Sequence, residues 1–483
     1  MDAIRHAELS SVGHQHFGHC DLGDKRLTDR LVHTADLCMA HPGGTLPDKL
    51  NHTADLMGFY RLANNDKVTH AKLIAAHAEH TRQLVEHAAG VVLVIHDTTE
   101  VDFSGLDAVE GLGPIGHGGG CRGFLCHNSL AYDYEAGEAL GLAGQLVHVR
   151  RKVPKGESPK AKREHPRRES RLWKRGWAAA RAALGPVAPG RLRVEVADRG
   201  ADLLEFTEAV HLAGDHYVVR SKSNRNIELD DDGGGGGARG RGVRRAKLHD
   251  FARALPSLGE REVAVSTNKG HAGRTARVSV AAASVSIRPP HFARGEHSRA
   301  NLPAWVIHVR EVGAPPAEGE APLEWVLLSN VPAADFAAAA ERVDWYACRP
   351  VVEEFHKAAK TGCGLELPQF TTAHALRVTV ALLSVVATQL LRLRDLARRD
   401  DAATRPAAAV VDPDFVTTLS LWRHKRVDPA MNVRDFCMAL AKLGGHLNRK
   451  HDGPPGWLVL WRGWTKLQLM VIGLHASRQV KCV

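Results

Sequence analysis

Apolar and polar positions change rhythm along the 483-residue chain. Up to about residue 75 the apolar residues recur at helical spacing, broken by HPGGTLPD (41–48) and ANND (63–66), which predicts short helices. From about 76 to 390 the pattern is mixed. The apolar run VVLVI (91–95) predicts a buried strand; a Gly-rich stretch, EGLGPIGHGGGCRG (110–123), and apolar runs at 128–133 and 138–149 follow. LRVEVA (192–197) predicts a second buried strand, a helix follows around 202–213, and DHYVVRSK (215–222) returns to strand. Alternating runs at 261–266, 276–287 and 304–312 make roughly 223–322 a β-rich insertion with Gly233 to Gly237 at its tip. LEWVLLSN (323–330) reads as a buried strand leading into a helical stretch at 334–348. Beyond about 391 the periodicity is helical again, with breaks at RPAAAVVDPD (405–414) and HDGPPG (451–456).

Acidic residues stand at the ends of two of these runs. Asp97 follows VVLVI and Asp198 follows LRVEVA, so both read as strand-end carboxylates. Each also has a local reading: Asp97 starts a turn in HDTTEVD, or Asp198 caps the helix beginning near Ala201. A third acid lies in YACRPVVEEFHKAAKTGCG (346–364), where Tyr346, Arg349, Glu353 and Lys360 stand at the spacing Tyr-x2-Arg-x3-Glu-x6-Lys. A solvated helix face carries similar charge. Yet a carboxylate flanked by two cations and a phenol suits a site in which the acid holds a metal ion and the cations hold phosphate oxygens. Proline is tolerated only in a helix's first turn, so Pro350 places the start of the Glu353 helix there. Glu353, His356, Lys357 and Lys360 then share one face, with Phe355 on the other.

In this order, and with this four-residue signature, the chain resembles the DDE cut-and-paste bacterial transposases of the insertion-sequence-four family, Tn-five type. LGDKRLTDRLVHTADLC (22–38) and GFYRLANNDKV (58–68) look like DNA-end-binding helices. IHDTTEVDFSG (95–105), ADRGADLLEF (197–206) and YACRPVVEEFHKAAKTG (346–362) are similar to the three acidic motifs, and ALAKLGGHLNRKHDGPPGWLVLWRGWTKLQ (439–468) to the closing helices. The glycine run departs from the family, as does Pro350, where tryptophan is more usual.

The resemblance implies an α/β fold: an RNase H-like catalytic core, a mixed sheet with helices, over 76–390, interrupted by the insertion. A helical DNA-end-binding domain (1–75) and a helical C-terminal dimerisation domain (391–483) would flank it. Asp97, Asp198 and Glu353 would be catalytic and would hold two Mg2+ ions, with Mn2+ able to substitute. Tyr346, Arg349 and Lys360 would position the DNA backbone, and Arg26, Arg30 and Arg61 would contact the transposon end. Trp325 matches a tryptophan that stacks on a flipped base, or else it is a core residue of LEWVLL. The partners implied are double-stranded DNA, as transposon ends and target, and a second copy of the chain in the DNA complex. The activity implied is Mg2+-dependent excision through a hairpin, followed by joining to target DNA. An inactivated copy that only binds ends, and an RNase H-fold nuclease without strand transfer, remain as other readings.

Charge and composition narrow the picture further. The formal net charge of +10 favours a polyanionic partner, whether nucleic acid or an acidic membrane surface. The most basic segment is 150–176; Pro and Gly break its first half, and its second half enters a helix near Glu169. Lys25, Arg26 and Arg30 share a helix face, and Arg61 follows Tyr60 on a second helix. The eight cysteines include no Cys-x-x-Cys pair, which argues against a zinc site or a disulfide framework. No N-terminal apolar segment and no uninterrupted apolar run near twenty residues is present, so the expectation is a soluble, intracellular protein with no membrane partner, which the resemblance makes cytoplasmic, bacterial and nucleoid-associated. The Gly-rich stretch 110–123 lacks the phosphate-loop pattern and reads as a hairpin connection. Trp457, Trp461 and Trp464, with Leu460 and Leu467 beside them, form either a core stripe or a contact between protomers.

Overall fold

The structure, a computed structural model, describes residues 11–229, 244–265, 273–290, 297–313, 320–449, 452 and 454–480. Gly233 to Gly237 lie outside them. Helices α1 (Val12–Phe17), α2 (Lys25–Ala40), α3 (Leu46–Lys49), α4 (Thr53–Ala63) and α5 (His70–His87) precede the first strand. Local chemistry sets their starts: the Asp24 side chain accepts from the Arg26 N–H and that of Thr69 from the Lys72 N–H, each satisfying a donor that a first turn leaves unpaired.

The middle of the chain is mixed α/β. It contains β1 (Val91–Asp102), β2 (Gly113–Ile115), β3 (Cys121–Asp133), β4 (Glu138–His148), α6 (Pro159–Glu164), α7 (Arg171–Leu184), β5 (Leu192–Ala197), α8 (Leu204–Leu212) and β6 (His216–Arg220). Strand β1 pairs antiparallel with β3, and β3 with β4; on its other side β1 runs parallel to β5, and β5 to β6. The order in space is therefore β4-β3-β1-β5-β6. In β1 the residues Val92 to His96 are all buried, as expected of a strand covered on both faces.

The β-rich insertion does not stand apart as a lobe of its own. Strands β7 (Asn226–Leu229), β8 (Arg244–Lys247), β9 (Gly259–Val265), β10 (Arg274–Ile287) and β11 (Leu302–Glu311), with helix α9 (Leu248–Ala254), precede β12 (Glu324–Ser329), and β12 pairs directly with β6. β11, β10, β7 and β8 then continue outward from β12, so the insertion extends the same 12-stranded sheet. Helices α10 (Phe336–Ala347), α11 (Pro350–Lys357), α12 (Ala373–Arg398), α13 (Pro413–His424), α14 (Val433–Leu443) and α15 (Trp457–Val480) complete the chain.

Helix α12 is the centre of the packing. It touches α5, β4, α2, α4, α14 and α15, and its apolar residues join Phe17, Leu31 and Phe59 of the N-terminal helices and Leu93 and Ile95 of β1 in one core. By length and composition α12 could cross a membrane, although the sequence showed no uninterrupted apolar run of that length; 78% of its apolar window is buried inside the protein. The aromatic stripe of α15 is also interior. Trp457 and Trp461 enter this main core, Leu460 and Leu467 a second one with α13 and α14, and Trp464 stacks on Phe415 at 4.9 Å. These residues are spent within the chain, which removes them as the surface that would meet a second protomer.

Candidate active site

Parallel pairing brings the two aspartates together. His96 of β1 lies opposite Ala197 of β5 in the parallel register, and the next residue in each strand is Asp97 and Asp198. Asp97 is not at a strand end, as its sequence suggested. β1 continues to Asp102 because β3 goes on pairing with it, Asp97 facing Asn128 across the ladder. Asp198 does leave the sheet. Its side chain accepts from the Gly200 N–H at 2.7 Å and caps the 3-10 turn Arg199–Ala201, so the local capping role and the strand-end position are both true of it.

Glu353 comes from the first turn of α11, which Pro350 opens and which packs against β1. Between the acids stands Arg349. Its Nη1 is 2.6 Å from Glu353 Oε1, and its Nη2 is 3.2 Å from Asp97 Oδ2. Among the described residues no three His, Cys, Asp or Glu side chains come together closely enough to hold an ion, and the guanidinium takes the place between them. Burial pushes the Asp97 carboxyl up to about 6; Arg349 opposes the rise, Asp198 adds to it, the Thr98 N–H opposes it, and Glu353 adds to it. Asp198 and Glu353 thus both lie close enough to act on Asp97.

A rim of cations and aromatics surrounds them. The Tyr346 ring, at the end of α10, meets Trp325 of β12 edge-on at 5.0 Å, and its phenol interacts with Arg220 at the end of β6. Trp325 is half-buried, between the core and the open position considered for it. Arg220 donates to the Glu324 carbonyl at 2.9 Å, while its Nε, like that of Arg349, is buried without a hydrogen-bond partner among the described residues. Arg199 and Arg349 lie close enough to lower the Arg220 pKa, after burial itself. Arg199 and Arg220 were not among the expected site residues. Each had a signal: Arg199 follows Asp198, and Arg220 closes the strand HYVVR.

Lys360 parts from the other three residues of its signature. After Lys357 the helix widens into a π-turn (Ala358–Gly362), which breaks the 3.6-residue spacing, so the shared face predicted for Glu353, His356, Lys357 and Lys360 does not hold. Lys360 Nζ pairs with Glu366 at 3.1 Å, beside Asp102 at the far end of β1. His356 turns inward instead and accepts from the Asn128 amide at 3.0 Å. Gln145 donates to Asn128 at 2.7 Å and to Ser384 at 2.9 Å, and His70 bonds Gln145 at 2.9 Å. Burial, with Lys360 and Arg349 nearby, holds His356 down at about 3, so it is neutral and free to accept. On the other face of the sheet His96 bonds Glu195 at 2.6 Å and Ser129 at 2.9 Å.

The N-terminal helices carry the remaining predicted residues. Arg26 is exposed and pairs with its own N-cap, Asp24, at 2.8 Å; Arg30 pairs with Asp55 of α4 at 3.1 Å; Arg61 is exposed near the end of α4. Residues 12–68 match the family model described as Transposase DNA-binding. The N-terminal unit is thus similar to transposase DNA-binding domains. It supports DNA as the chain's partner and a transposase as its class. This unit meets the segment just past the π-turn that follows α11: the buried Lys49 ammonium donates to the Gly43 and Gly44 carbonyls at 3.1 and 2.6 Å, and a Cβ at Gly364 would stand 2.7 Å from the Gly44 oxygen. A second seam joins His16 of α1 to His77 of α5 at 3.0 Å and to Gln389 of α12 at 2.9 Å.

Proposed function

We propose that the chain is a DDE transposase that cuts its element from DNA by metal-dependent phosphoryl transfer through a hairpin intermediate and joins the ends to target DNA. One observation carries the reading: Asp97 and Glu353 share one arginine, and Asp198, on the strand parallel to that of Asp97, is close enough to raise the Asp97 carboxyl, in a chain whose residues 12–68 match a transposase DNA-binding model. The strand order β4-β3-β1-β5-β6, three antiparallel strands followed by two parallel to the first, supports an RNase H-like core.

By their chemistry, though not by their present spacing around Arg349, the three acids suit a divalent cation. All are hard oxygen donors, and the like charge that lifts Asp97 is what a cation relieves. Asp97, Asp198 and Glu353 would hold two Mg2+ ions, or Mn2+, which when bound lower the pKa of the attacking water or 3'-hydroxyl and stabilise the leaving oxygen. Arg349 answers the charge of Asp97 and Glu353 and would be free to meet a phosphate oxygen if a cation took over that role. Arg220 and Tyr346 extend this phosphate-binding rim, and Lys360 acts further along β1. Trp325 keeps part of its ring open for a flipped base. Arg26, Arg30 and Arg61 would meet the transposon end.

The test incubates purified protein with Mg2+ and duplexes bearing the element's ends. Asp97→Ala, Asp198→Ala and Glu353→Ala should each abolish nicking while end binding persists, and nicking retained by any one of them removes that residue from the site. Nicks without hairpins or joined products in the unaltered protein would favour a nuclease of the same fold.

A further inference from the structure

The chain's positive charge is concentrated in one place. Residues 150–175 hold twelve Lys and Arg against three Glu, a net of +9 where the whole chain carries +10. This arm leaves β4, contains the short helix α6, and ends in α7. Ion pairs tie both of its ends near the carboxylates. Arg150 pairs with Glu100, three residues beyond Asp97 on β1, at 3.2 Å and with Glu169 at 2.6 Å. Arg168 pairs with Glu205, at the start of α8, at 2.5 Å. Trp173 abuts the turn that Asp198 caps: a Cβ at Gly200 would come 2.6 Å from its ring.

These pairs, with Arg151 to Glu157 at 2.6 Å, use the arm's acids to hold its shape. Lys152, Lys155, Lys160, Lys162 and Arg167 remain exposed and have no ion pair among the described residues. A merely solvated surface alternates its charges, whereas this arm keeps like charges together without neutralising them. We propose that residues 150–175 are a phosphate clamp that holds duplex DNA beside the carboxylates without reading its sequence. The proposal rests on DNA being the partner, though not on the cutting chemistry. DNA suits the arm better than an anionic membrane, because among the described residues Val153 is the one large apolar side chain the arm exposes, and a membrane-bound segment needs an apolar face as well as charge.

The test measures affinity of the full chain for a fluorescent duplex of about 30 base pairs of unrelated sequence, in EDTA, between about 50 and 200 mM salt. Lys152→Gln, Lys155→Gln, Lys160→Gln, Lys162→Gln and Arg167→Gln combined should lower affinity at least tenfold and flatten the slope of log affinity against log salt by about 3 to 4, at ~0.9 for each phosphate no longer neutralised. The pair Lys160→Gln and Arg167→Gln, a milder change, should flatten it by about 1 to 2. An unchanged slope in the pair, with an unchanged melting temperature, overturns the clamp. So does binding of phosphatidylserine vesicles that the five changes abolish while duplex affinity stays the same. Because no cutting is measured, active carboxylate variants would sink the proposed chemistry and leave this result standing.

Discussion

Asp97 has its carboxyl raised to about 6, by burial first, and by Asp198 and Glu353 against the pull of Arg349. Between about 4, the ordinary carboxylate value, and 6 the folded protein keeps a proton that the unfolded chain gives up. Stability therefore falls as pH rises through that interval, and the whole penalty is present above it. That rise corresponds to at most about 3 kcal/mol, the pull of Arg349 already included. In metal-free protein Asp97→Asn should melt above the unaltered chain at pH 8 and level with it at pH 4, although it cannot cut DNA. Lower melting at pH 8 would mean that the ion pair outweighs burial. If the proposed function holds, the same residue would link stability to function, since a destabilised carboxylate is one that gains most from a cation.

Helix α11 is held in place from behind. Its position depends on His356 accepting from Asn128, which in turn takes a hydrogen bond from Gln145. Asn128→Ala leaves the His356 Nε2 and one Gln145 amide N–H buried without a partner, a loss of about 1 to 3 kcal/mol in stability. Because the network fixes the helix bearing Glu353, cutting should slow more than tenfold with transposon-end affinity unchanged. A lower melting temperature with a normal cutting rate would reduce the network to a packing role. The π-turn after Lys357 belongs to the same element, since it turns the chain so that Gly364 meets Gly44 of the DNA-binding domain.

For the whole molecule the proposed transposition raises the question of how two DNA ends would be held, since one chain has a single set of the three acids. A dimer on DNA, in which each DNA-binding domain presents its end to the partner's acids, predicts that mixing Asp97→Ala protein with an Arg26→Gln, Arg30→Gln, Arg61→Gln variant restores cutting to part of the unaltered rate. No recovery, with mixed dimers shown to form, would refute it. In such a dimer any contact on α15 would fall to its outer residues, because Trp457 and Trp461 are buried in the core, whereas Leu469 and Ile472 are 60% and 55% exposed. Leu469→Glu with Ile472→Glu should weaken the dimer at an unchanged melting temperature. Trp461→Ala should instead destabilise the fold by about 3 to 5 kcal/mol.

What the amino-acid order determined by itself was local. Apolar runs such as VVLVI and LRVEVA announced β1 and β5, Pro350 marked the start of α11, and acids at the ends of those runs pointed to Asp97 and Asp198, because strand and helix patterns depend on neighbours a few residues apart. Only the tertiary structure decided the rest. Arg349 and Asp97 are 252 residues apart in the chain, and Asn128 and His356 228 apart, so no spacing could show that they touch. The insertion joined the main sheet because β6 and β12 pair across it, and β1 ran on past Asp97 because β3 continued to offer it hydrogen-bond partners. The stripe of α15 became core for the same reason: a helix pattern states that a face is apolar, and which surface covers it depends on where the remaining helices pack.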